Sequence, residues 1–264
     1  MDPRIFEIVS VKPELIVEFP DWMLSKKTEA ELKETEGLGI AEIAGRDSIA
    51  AVLEAAKTRN IKAILPTLAY TGTEFGNWEA PVKKIHQIKE ELNKKGIKVF
   101  DTVLLGAPKF WWHLCGRYAT DLFKRFGFYS PCVGCHLYLH AVRIPLAKKI
   151  NCDVLIGGER ESHDGKTKIN QIECALDAYT HLAESFGVKL LLPLRQVRSG
   201  KVIESITGHL WKKDTEQLEC VMSKNYLERD GSVIYSEDDI KRFFKEFALP
   251  EAEKEIKRLL TAMQ

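Results

Sequence analysis

The chain has 264 residues, 45% of them hydrophobic, enough to bury a substantial core. Its 39 basic and 38 acidic side chains leave a formal net charge of +1, so global charge gives no footprint for nucleic acid. No run approaches the roughly 18 apolar residues that cross a bilayer. The start, Met1-Asp2-Pro3-Arg4, has no basic stretch leading into an apolar one. A cytoplasmic protein without a membrane partner is expected.

From residue 38 onward, short apolar runs alternate with amphipathic ones, the pattern of an α/β fold with a parallel sheet. Gly39 to Ala44 reads as a strand and Asp47 to Lys57, rich in alanine, as a helix. Ile61 to Leu68 is the next strand. Pro81 to Lys95 carries Val82, Ile85, Ile88 and Leu92 at helical spacing, with Gly96 suited to the C-terminal cap. Val99 to Leu105 is a third strand, and helix resumes near Leu137 and runs to Lys149. Asp153 to Ile156 forms a strand entering Gly157-Gly158, Ile172 to Phe186 a helix stopped by Gly187, and Val188 to Leu192 a further strand. Repeated strand-helix-strand units direct ligands to the carboxyl ends of the strands. The expected organisation is an N-terminal extension over 1–37, a main domain over 38–222 and a helical tail over 223–264.

Two stretches carry chemistry. Ile43-Ala44-Gly45-Arg46-Asp47-Ser48 joins the first strand to its helix, where small residues let amides approach a phosphate and a helix start favours negative charge. An ordinary helix N-cap by Asp47 or Ser48 explains the same residues. Further on, Cys132-Val133-Gly134-Cys135-His136 places two thiols three positions apart, with Cys220 far downstream. In a reducing compartment such a pair points to a metal or redox site and not to a disulfide. Zinc held by Cys132, Cys135, Cys220 and a histidine is one reading, with His136 and His140 one helical turn apart. The run also fits c-type haem attachment, which would require export. Cys115, Cys152 and Cys174 lack partner spacing.

The first stretch resembles the PP-loop ATP pyrophosphatase superfamily, whose signature is Ser-Gly-Gly-x-Asp-Ser after the first strand. Gly45, Asp47 and Ser48 match; Ile43 and Ala44 replace the leading serine and glycine, and Arg46 takes the variable place. Thr71-Gly72-Thr73-Glu74-Phe75 is similar to the Thr-Gly-x-x-Phe segment of the sulfate-reductase branch. Gly157-Gly158-Glu159-Arg160-Glu161-Ser162 falls where related enzymes carry a turn near the nucleotide, although Glu159 and Glu161 also read as paired charges of a polar loop. Cys132, Cys135 and Cys220 follow the order seen in the tRNA 2-thiouridine and 2-thiocytidine synthetase branch. That branch's cysteine-rich N-terminal finger has no counterpart, since no cysteine precedes Cys115, which marks a divergent member.

The resemblance implies an adenine nucleotide alpha hydrolase-like three-layer sandwich with small terminal additions. It implies ATP with Mg2+ at Ala44, Gly45, Arg46, Asp47, Ser48, Thr71, Gly72, Gly157 and Gly158, and a 4Fe-4S cluster on Cys132, Cys135 and Cys220. Asp47 and the three cysteines would carry catalysis of sulfur insertion or removal, on a tRNA base or a small thiolated molecule, with a sulfur donor as a further partner. Lys148, Lys149, Arg195, Arg198, Lys201, Lys212 and Lys213 are the expected contacts to RNA phosphates. The alternative is a non-catalytic nucleotide-binding module with a structural zinc site.

Overall fold

The computed structural model describes residues 2–58, 60–210 and 217–263. Its strands are β1 (Leu38–Glu42), β2 (Ala63–Tyr70), β3 (Glu74–Phe75), β4 (Lys98–Val99), β5 (Val103–Gly106), β6 (Val154–Ile156), β7 (Lys189–Leu191) and β8 (Glu219–Cys220). The main sheet runs in the order β4-β2-β1-β6-β7, every pair parallel. β5 also pairs with β2, beyond β4, so the two are successive pieces of one edge. The apolar run expected as a single strand from Val99 is therefore broken at Phe100–Thr102. Ile40, Ala41 and Leu65 are wholly buried, as strands covered on both faces require.

From β1 the chain steps outward through β2 to the edge, then returns to the other side of β1 to lay down β6 and β7. Right-handed crossovers put the helices Arg46–Ala55 and Glu79–Lys94 on one face and Glu173–Ser185 on the other. The molecule is thus α/β with a parallel central sheet between helices. The reversal between β1 and β6 opens a crevice at the carboxyl ends of those two strands, the place where this architecture receives ligands.

The terminal segments are built into the same core. Leu15 exchanges two backbone hydrogen bonds with Gly106, at 2.7 and 2.8 Å, and the Tyr70 hydroxyl donates to the Pro13 carbonyl. Gly106 is needed there, because a Cβ would fall 1.9 Å from Cε2 of the Tyr70 ring. From the other terminus, Phe243 packs edge-on against Phe126 and Phe128, and Ala248, Ala252 and Ile256 are wholly buried.

One boundary matters for the chemistry. The expected helix from Leu137 begins seven residues earlier, at Ser130, and runs to Ala141. Pro131 falls in the first turn, where a missing N–H and a fixed φ suit a helix start. Both cysteines of the pair therefore stand on the opening turns of a helix and not in a loop.

Candidate functional site

The cleft at the switch point has a volume of 1320 Å³. Ala44, Gly45, Arg46, Asp47, Ser48, Thr71 and Gly158 line it, and so do Cys132, Cys135 and Cys220. The two stretches singled out in the sequence thus share one cavity although 84 positions separate Ser48 from Cys132.

At the turn after β1, the Ser48 hydroxyl folds inward. It accepts from the amides of Ala44 (2.9 Å) and Gly45 (3.0 Å) and donates to the Gly45 carbonyl at 2.8 Å. Those two amides, expected to face a phosphate, are occupied within the turn. The first-turn amides of the helix Arg46–Ala55 remain, since no preceding turn offers them a carbonyl. Gly158 closes on the same turn: a Cβ there would lie 2.6 Å from the Ser48 Cα and nitrogen. At the end of β2 a protein acceptor again takes the amides expected to meet a ligand. Glu74 accepts from the Thr71 amide at 2.7 Å and the Gly72 amide at 3.1 Å, and Lys12 of the N-terminal segment steadies the carboxylate from 3.5 Å.

Around Asp47 the sequence reading missed a cluster of cations. Arg160, almost wholly buried, donates from Nε to Asp47 Oδ2 at 2.9 Å, and its Nη1 donates to the carbonyls of Ser162 and Arg198. Arg46 Nε reaches Asp47 Oδ1 at 3.3 Å. Burial would raise the Asp47 pKa, but the Arg160 hydrogen bond and the charges of Arg160, Lys168 and Arg46 outweigh it and hold the carboxyl below its usual range. Lys168 also lines the cleft and makes no ion pair among the described residues; burial, with Arg160 and Arg46 nearby, lowers its pKa despite Asp47. His163 donates from Nε2 to Gln171 Oε1 at 2.7 Å, and burial with Lys168 and Arg160 pulls its pKa down to about 4, so it is neutral at pH 7. The signal for these residues lay in the charge-rich run 159–168, which is ordinary loop composition until β6 places it over the helix start.

On the opposite wall, Cys220 reaches the site through a two-stranded antiparallel sheet in which it faces Glu74. Its sulfur lies 3.2 Å from the Thr73 hydroxyl and accepts from the Met222 amide at 3.4 Å. The Cys132 thiol donates to the Met222 carbonyl at 3.5 Å. Burial pushes the Cys132 thiol up to about 12, with the charge of Cys220 adding to it. Burial raises the Cys135 thiol as well, with Cys220, Glu74 and Cys132 among the neighbours that add to it. Such thiols stay protonated unless a cation displaces the proton.

Between the two walls sits a buried acid-base group. Glu159 Oε1 accepts from His140 Nε2 at 3.0 Å and lies 3.4 Å from His136 Nδ1. Burial opposes its charge, but His140 and His136 hold Glu159 well below the carboxylate range. Glu159 is therefore a core element, whereas Glu161 is the paired loop charge expected of it, bound to Arg195 at 2.6 Å.

The donor set bears on the implied metal group. Among the described residues, no three His, Cys, Asp or Glu side chains stand close enough to hold a single ion, so a closed four-ligand zinc site is not preformed. A cluster places a different iron under each thiolate and takes cysteines set farther apart. Among the described residues, buried Trp111 Nε1 and Ser130 Oγ have no hydrogen-bond partner, and Ser130 stands two positions before Cys132. Three thiols and these donors fit a sulfur-rich anionic group.

Two of the basic residues expected to meet RNA phosphates lie away from this cleft. Lys148 donates to the Phe186 carbonyl and Lys149 pairs with Glu29, both at the end of the sheet where β6 and β7 begin, away from the cleft. Arg195 is held by Glu161 and Asp177. Lys212 and Lys213 lie outside the described residues.

Among proteins of known sequence, the chain is 40% identical over 220 residues to the uncharacterized protein MJ0009 of Methanocaldococcus jannaschii, a match covering 81% of this chain and 77% of that protein. No family model matches the chain. At that identity and coverage, this chain and the Methanocaldococcus jannaschii protein belong to one family.

Proposed function

We propose that the protein is an ATP-dependent sulfur-handling enzyme of the PP-loop type, with ATP at the β1 turn and a 4Fe-4S cluster on Cys132, Cys135 and Cys220. The observation that carries this reading is the single cleft shared by the nucleotide turn and the three thiols at the switch point of the sheet. Fold-level likeness alone would not support an activity.

Replacing oxygen by sulfur at a carbonyl carbon needs the oxygen turned into a leaving group. ATP as substrate does this by adenylation, releasing pyrophosphate. Arg46 and Lys168 supply positive charge for the phosphates, reinforced by the helix start at Arg46. Asp47, kept ionised by Arg160, gives Mg2+ a carboxylate oxygen. When bound, a cluster on three thiolates offers an open iron that can carry sulfur. Cys132 and Cys135 present that centre from the first turns of a helix, whose dipole favours negative charge. The substrate is a tRNA base or a small thiolated molecule.

Anaerobic purification with iron and sulfide, followed by metal analysis and calorimetry with ATP, tests the reading. Iron bound through Cys132, Cys135 and Cys220, together with saturable ATP binding, is the expected result. Cys132→Ser, Cys135→Ser and Cys220→Ser should each lose iron, while Cys174→Ser, on the helix Glu173–Ser185, retains it.

One observation weighs towards the non-catalytic alternative. The amides of Ala44, Gly45, Thr71 and Gly72 are already satisfied by Ser48 and Glu74, leaving fewer donors for a triphosphate. Tight zinc with no pyrophosphate release would select that reading.

A further inference from the structure

We infer that Thr73 is a positioning residue for Cys220: its hydroxyl donates a hydrogen bond to the ligating sulfur and sets the electron density of the centre held there. This rests on the proposed cluster site. Two groups meet the Cys220 sulfur, Thr73 Oγ1 at 3.2 Å and the Met222 amide, which donates to it at 3.4 Å. The backbone fixes the first contact. Glu74 and Cys220 face each other across the antiparallel pair of β3 and β8, and the Val221 amide donates to the Thr73 carbonyl at 2.9 Å. Thr73 is itself buried, at 9% exposure, so little water competes for its hydroxyl.

The direction of the bond follows from the neighbouring hydroxyl. Thr71 Oγ1 donates to Glu74 Oε1 at 2.8 Å, accepts from the Thr73 amide at 3.2 Å, and lies 2.8 Å from Thr73 Oγ1. While Cys220 keeps its proton, the thiol can donate to Thr73, which gives its own hydrogen to Thr71. A ligating sulfur has no proton and is a strong acceptor, so Thr73 then turns its hydrogen to the sulfur. Thr71 already holds an amide donor on its oxygen and loses little by the change. Cys132 differs. Its thiol donates to the Met222 carbonyl at 3.5 Å, a group with no hydrogen to offer a thiolate.

A hydrogen bond to a ligating thiolate draws electron density from it and stabilises the more reduced, more negative state of the centre. Thr73→Val keeps nearly the same side-chain shape and removes the hydroxyl, whereas Thr73→Ser retains it. Expected for anaerobically reconstituted Thr73→Val are full iron content, a more negative midpoint potential and a shifted charge-transfer absorption, with Thr73→Ser matching the wild type in all three. A midpoint unaltered in Thr73→Val at full iron content, or lowered equally in Thr73→Ser, would overturn the inference while leaving the wider reading intact. Wild-type protein that takes up no iron and sulfide would overturn both. Should Thr73→Val not fold or not hold iron, wild-type protein reconstituted in heavy water decides the matter by pulsed electron paramagnetic resonance of the reduced centre. Two exchangeable deuterons coupled to the centre, one on the Met222 amide and one on the Thr73 hydroxyl, support the donor; the amide deuteron alone overturns it.

Discussion

Asp47 is tied to Arg160 at 2.9 Å, and Arg160 is only 2% exposed. Asp47→Ala therefore strands a buried guanidinium, and we expect it to lower stability by about 1.5–3 kcal/mol in urea unfolding, apart from any effect on ATP. Asp47→Asn retains an acceptor for Arg160 and is the cleaner probe of nucleotide binding. Calorimetry should show weaker ATP binding in that folded variant; unchanged affinity would remove Asp47 from the nucleotide site. His163 gives a pH signature. Its folded value of about 4 lies below the ordinary 6.5, so the unfolded chain binds the proton more readily between them. The stability from this group is present above pH 6.5 and is lost as pH falls through 4. The stability-pH slope over that window should flatten in His163→Gln, and an unchanged slope would show that other groups cause it. Cys132 acts at the other extreme. With its folded value near 12, the metal-free protein should lose stability as pH rises from about 9 to 12, and thiol titration during unfolding can follow the loss.

At the level of elements, two turns meet where β1 and β6 end. Gly158 lets them touch, because a Cβ would lie 2.6 Å from backbone atoms of Ser48 that cannot swing aside. Gly158→Ala should cost about 1–3 kcal/mol by overpacking and should weaken ATP binding as the helix start is displaced. Circular dichroism with a urea melt would detect the first effect; a variant as stable as the wild type would mean that the turns separate readily. The helix Ser130–Ala141 does related work on the other wall. One rigid element carries Cys132, Cys135, His136 and His140, so the spacing of thiols and histidines is set by helical geometry and not by a loop.

On the scale of the whole molecule, the terminal segments are parts of the core and support the cleft. Lys12 steadies Glu74, which organises the turn before β3, and β3 holds the strand bearing Cys220. The C-terminal helix Leu249–Ala262 buries Ile256 completely. Ile256→Ala should lower global stability by about 2–5 kcal/mol, since the surrounding core cannot fill the space; a loss under 1 kcal/mol in chemical denaturation would show the helix to be a loose appendage. The alternation of apolar and amphipathic runs was enough to identify an α/β chain with a parallel sheet, because period and run length are local properties of a strand or helix. The glycine turn and the cysteine pair were also legible, since small residues and thiols at fixed spacing restrict what the chain can bind. Sequence alone did not reveal that Ser48 and Glu74 occupy the very amides expected to meet phosphate, for that depends on side-chain direction. It did not distinguish Glu159 from Glu161, two carboxylates two residues apart: the end of β6 turns one into a buried histidine partner and leaves the other on Arg195. The resemblance had set Cys220 beside Cys132; how the chain brings both to one cleft, by the reversal across β1 and the small sheet of β3 and β8, was not legible in it. Local pattern determined the elements; the order of strands across the sheet decided which residues share a cleft, because only that order joins segments distant along the chain.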